Sequence, residues 1–150
     1  MILGGINVSS ISVENLKNKK RILIANVTNA RDEINTCEDN YDSLVKFKSI
    51  VQISQAEFNS AGVLQMQIID QIKPYYEFNT SAKMYGEEVS DFVDSIGTKI
   101  VGKSYDVLIG LIDLAMKKIY NRISELNDKI IDWKDRIEDI DNEITYQNSN

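Results

Sequence analysis

Residues 105–144 read YDVLIGLIDLAMKKIYNRISELNDKIIDWKDRIEDIDNEI, and this stretch decides the fold. Its apolar side chains fall at Tyr105, Ile109, Ile112, Met116, Ile119, Ile123, Leu126, Ile130, Trp133, Ile137, Ile140 and Ile144. The steps alternate between four and three residues without a slip. A repeat averaging about 3.5 residues keeps one stripe turned toward one partner along a left-handed supercoil, so the stretch reads as one arm of a coiled coil.

A second stretch supplies the partner. From Val13 the same alternation runs through Leu16, Lys20, Leu23, Val27, Ala30, Ile34, Cys37, Tyr41, Leu44, Lys48 and Val51. The two lysines fit such a seam because the alkyl stem lies along it while the ammonium reaches water. Two long helices in one chain fold back antiparallel. The sequence thus predicts an all-α protein: a long antiparallel helical hairpin whose connection carries short helices that form a small bundle at one end.

Register follows from the seam. Lys20 opposite Ile140 sets Val27 against Trp133, Ala30 against Ile130, Ile34 against Leu126 and Leu44 against Met116. The small Ala30 and Cys37 then make room for Ile130 and Ile123. The same setting brings Lys19 beside Glu143, Glu33 beside Lys129 and Lys17 beside Asp141. Exposed pairs of this kind contribute only about 0.2–1 kcal/mol each, so they select register more than they stabilise.

The whole chain reads as one helical domain, 1–150. Residues 1–10 form a flexible lead-in, and Ser12 is the candidate N-cap of a first arm over 12–58. A connection over 59–102 holds a short helix at 63–72, ended by Pro74 because the residue before proline leaves the helical region. A further helix runs from about Ser81 to Ile100, with Val89, Phe92, Val93, Ile96 and Ile100 on one face. The second arm spans 103–146. Its beginning, 107–116, is apolar nearly all round, which predicts burial among the connecting helices; the remainder is apolar on one stripe only.

Composition narrows the chemistry. The net charge of -6 disfavours nucleic acid, which is met by a basic face. The apolar run at 107–116 is too short to span a bilayer, and the net acidic second arm does not suit a membrane surface, so no stable membrane insertion is expected. The first residues carry no basic, apolar leader, which points to a cytoplasmic protein. The chain has no histidine, which removes the usual general base and the commonest metal ligand. Cys37 is the only cysteine, so zinc sites and internal disulfides are out of reach; on the seam it reads as a structural thiol. No phosphate-cradling glycine loop occurs. The carboxylates at Asp132, Asp135, Glu138, Asp139, Asp141 and Glu143 fall on the outer face of a coil rather than in a cleft. No catalytic residue, metal or cofactor is expected.

What remains is binding. Trp133 sits on the seam, either as core packing against Val27 or as an anchor for a partner. Tyr75, Tyr76 and Phe78 beside Pro74 either cap the bundle or bind. Ile22, Ile24, Val45 and Ile131 are apolar residues off the main seam and are candidates for helix-on-helix docking.

Residues 84–92, MYGEEVSDF, resemble the Trp-x-Gly turn with a later phenylalanine found in the WXG superfamily of type VII secretion, with Tyr85 directly before Gly86. With its long first helix, central break and long last helix, the chain looks like the helical accessory proteins of LXG toxins in Gram-positive bacteria. That resemblance implies a targeting factor or chaperone that binds the helical N-terminal domain of a secreted toxin, is co-exported with it or stays cytoplasmic, and uses Tyr85, Gly86 and Phe92 in the turn. A homodimeric, self-assembling coiled coil is the competing expectation, and an export chaperone of the flagellar or type III kind is a third.

Overall fold

A computed structural model of the chain describes residues 8–76, 87, 88, 91 and 101–150. It contains two long helices, α1 (Val8–Tyr76, 69 residues) and α2 (Gly102–Ser149, 48 residues), which pack against each other as an all-α helical hairpin. Every seam position named above, from Val13 to Val51 and from Tyr105 to Ile144, is buried or half-buried. The 3-4 pattern therefore decides which face of each helix turns inward.

Two compact units divide the chain, Met1–Tyr41 with Lys118–Asn150, and Asp42–Lys117. In the first, Val27, Ala30, Ile34, Leu126 and Ile130 form the core, with Ile123, Trp133 and Ile137 packed on it. This is the set that the register assigns to facing positions. Lys20 Nζ donates to Asp141 Oδ1, one residue from the expected Ile140. The charged flanks differ in detail from expectation. Asp141 is taken by Lys20 rather than Lys17, because a lysine on the seam itself reaches the neighbouring flank of α2. Glu143 accepts from Gln147 Nε2 on its own helix. Glu33 is held by Arg122, while Lys129 adds only its field.

In the second unit Val51 and Ile112 are buried, and the rings of Phe58 and Tyr105 lie tilted with centroids 6.1 Å apart. Lys48 Nζ donates to Asp113 Oδ1 at 2.6 Å and Gln55 Nε2 to Asp106 Oδ1 at 2.8 Å. One heptad forward on α1 is thus one heptad back on α2, as an antiparallel seam requires.

The boundaries of α1 correct the sequence reading at both ends. The helix begins at Val8, so Ser12 is not its cap; the Ser12 hydroxyl instead accepts from Gln147 Nε2 at 3.4 Å. Nothing between Gly5 and Gly62 is a glycine or proline, so no residue there stops a helix. The helix also runs through the expected break after Phe58 and absorbs the separate helix at 63–72. Gly62 costs about 1 kcal/mol against alanine in a helix, too little to break one whose seam runs up to it. The seam does continue, through half-buried Gln55, Phe58 and Gly62. Pro74 removes one N–H and crowds the carbonyl four residues back, and α1 ends two residues later at Tyr76. At the other side of the connection α2 extends over 102–149 rather than 103–146. Of the helix expected over 81–100, only Glu87, Glu88 and Asp91 are described, all helical and exposed; the remainder, and the lead-in at 1–7, lie outside the described residues.

Candidate docking surface

Naming positions by the heptad orders the surface. On α1 the seam letters are a for Lys48, Gln55 and Gly62, and d for Leu44, Val51 and Phe58. On α2, a covers Ile109 and Met116, and d covers Tyr105 and Ile112. In an antiparallel pair the g flanks of both helices lie on one side and the e flanks on the other. Within the first unit the Glu33–Arg122 pair joins two g positions, as this geometry demands. Arg122 Nε and Nη2 donate to the two carboxylate oxygens of Glu33 at 2.7 and 3.2 Å. The fork holds the Glu33 carboxyl below the usual glutamate range, chiefly through the Arg122 hydrogen bond; partial desolvation opposes it, and the charges of Arg122 and Lys129 reinforce it.

Residues 42–117 have two unlike sides. On the e side Asp106 and Asp113, both e, accept from Gln55 and Lys48, beside exposed Val45 at e and Val63 at b. The g side is apolar. On α1 it carries Phe47, Ala61 and Ile68 at g, with Ile50 and Leu64 at c. On α2 it carries Leu108 and Ala115 at g, with Leu111 at c. All of these but the half-buried Ala115 are exposed, Ile50 by 61% and Leu111 by 58%. Sequence reasoning expected the stretch at 107–116 to be surrounded, yet Val107, Leu108, Leu111 and Leu114 are all exposed. The seam to α1 uses Tyr105, Ile109, Ile112 and Met116, and one partner helix covers only one stripe.

The α1 part of this side is itself a second 3-4 repeat: Phe47, Ile50, Ser54, Glu57, Ala61, Leu64, Ile68. The sequence contains the signal in full. Ser54 and Glu57 in its middle disguise it, since neither is apolar.

The residues singled out from the sequence distribute differently. Ile22, Ile24, Val45 and Ile131 are exposed, as docking requires. Ile22 lies on the g side and Ile24 and Ile131 on the e side of the first unit, while Val45 lies on the e side of the second. Ile22 lines an open groove of about 440 Å³ with Leu23, Ile140 and the charged Lys19, Arg136 and Asp139. Trp133 is half-buried against the core cluster, which makes it a packing residue. Tyr75 and Tyr76 close α1. Phe78, Tyr85, Gly86 and Phe92 lie outside the described residues. Cys37 is a free, half-buried thiol on the seam.

Among the described residues no cluster of three His, Cys, Asp or Glu side chains is placed to hold a metal ion, and no helix is long and apolar enough to cross a membrane. The described surface offers hydrophobic contact and peripheral charge. No family model, curated protein or solved structure matches the chain.

Proposed function

We propose that this protein is a non-enzymatic interaction module that docks helices of another protein against the apolar g side of residues 42–117. One observation carries the reading: six large apolar side chains on that side, Phe47, Ile50, Leu64, Ile68, Leu108 and Leu111, stand exposed on two adjoining helices. Large apolar side chains exposed on one side of a helix mark an interaction site, and a helical surface with 3-4 apolar spacing is complementary to another amphipathic helix. The e side carries the cross-helix bonds of Lys48 and Gln55 and fewer exposed apolar side chains, Val45 and Val63.

The resemblance to accessory proteins of LXG toxins gives this module a specific employment: a targeting factor or chaperone that holds the helical N-terminal domain of a secreted toxin for type VII export. Exposed apolar surface suits a chaperone, because its client's own apolar stripe needs cover before export. A tagged pull-down from the native host, with bound proteins identified by mass spectrometry, tests it. The expected result is one protein with a helical N-terminal region, recovered in stoichiometric amount by the wild type and lost with Leu111→Glu. Recovery that is unchanged by Leu111→Glu would place the docking surface elsewhere.

A further inference from the structure

We propose that, without its client, the protein closes this apolar side with a second copy of itself, the two α1 helices running antiparallel over residues 47–64, and that client and second copy compete for the surface. The inference rests on the docking reading above and adds its occupant.

Paired antiparallel with a second copy, the exposed stripe offers three matched layers. Antiparallel pairing of Phe47 with Leu64 sets Ile50 against Ala61 and Ser54 against Glu57, and the two-fold axis repeats each pair. A large side chain thereby meets a small one at Ile50 and Ala61, which lets the backbones approach at that layer. At the centre a hydroxyl donor meets a carboxylate acceptor. Ser54 and Glu57 interrupt the apolar stripe of one copy, yet they satisfy each other across two, where an apolar partner would leave Glu57 without a hydrogen bond. A polar layer inside an apolar helix interface fixes register and orientation. Shifting the alignment by one heptad loses all three matches together. Leu108 and Leu111, on the same side of α2, flank the contact and widen it beyond one helix. Each copy presents the same surface to the other, so the two-fold contact is isologous and closes at two copies.

Sedimentation equilibrium of the full chain over a concentration series reads the proposal. The expected species is twice 17.1 kDa, with Ile50→Glu raising the dimer dissociation constant by about tenfold or more and Ile131→Glu leaving it unchanged. Far-UV circular dichroism confirms that each variant keeps its helix, and Ile50→Leu restores the dimer. Pairing is read separately in a Cys37→Ser background. Ile50→Cys together with Ala61→Cys is expected to give a disulfide-linked dimer on mild oxidation, whereas Ile22→Cys is not.

A monomer at every concentration overturns the proposal. It leaves the docking reading standing if the monomer still captures its client through Leu111. A dimer that persists unchanged in saturating client overturns the competition. A dimer insensitive to Ile50→Glu overturns the assigned surface.

Discussion

Truncating Leu126 to alanine is expected to destabilise the hairpin by about 2–3 kcal/mol. Leu126 is the most buried side chain described, 3% exposed, and packs in the cluster with Val27, Ala30, Ile34 and Ile130. Leu→Ala changes in closed cores cost about 2–5 kcal/mol, the spread reflecting how far the surroundings collapse into the cavity. A two-helix seam is open along both flanks, so water and neighbouring side chains refill the space, and the cost falls in the lower half of that range. For a chain of this length about 1 kcal/mol lowers the melting temperature by roughly 2–4 °C, giving a drop on the order of 5–10 °C. The assay is thermal unfolding by far-UV circular dichroism, with Ile131→Ala as control. Ile131 neighbours the same layer but is 58% exposed, and its truncation is expected to stay within about 0.5 kcal/mol. Equal melting temperatures for Leu126→Ala and Ile131→Ala would refute the assignment of the seam.

Three further outcomes are expected. Ala30, 4% exposed, has no room for a larger side chain, so Ala30→Leu is expected to cost about 1–3 kcal/mol in the same assay. Glu33 is expected to titrate below ordinary glutamates when followed by NMR, and Arg122→Ala to return it to the usual range. Because its folded-state pKa is depressed, its contribution to stability is present above the unfolded-state value and lost as pH falls through the lower folded-state value; Glu33→Gln removes that dependence. Spin labels at Val27→Cys and Trp133→Cys, in a Cys37→Ser background, are expected to report a separation compatible with helix axes about 10 Å apart, and a long distance would contradict the register.

The fold was legible because a single rule governs it. A 3-4 repeat must bury its stripe, and from Val13 to Val51 and Tyr105 to Ile144 the burial follows the repeat position by position. Side-chain pairing was less legible, since long flanking lysines and arginines reach several carboxylates at similar cost; Glu33 chose Arg122 over Lys129 for its bidentate geometry. The break after Phe58 was misplaced because Gly62 and Pro74 are local penalties, and a seam continuing through Phe58 outweighs the first of them. The apolar side is only partly legible: its α2 portion, 107–116, reads as an all-round apolar helix, while Ser54 and Glu57 mask the repeat on α1. Ile24 and Ile131, singled out as apolar residues off the seam, are exposed. A surface for docking is a property of a stripe, and the stripe appears only when heptad letters are carried past the main seam.

The most direct measurement is photo-crosslinking from single positions on the full chain in its native host. A benzophenone side chain at Leu111 is expected to yield a discrete adduct, to the client or to a second copy, while the same group at Ile131 yields none. Adducts from Ile131 and none from Leu111 would contradict the account and move the docking surface to residues 118–150.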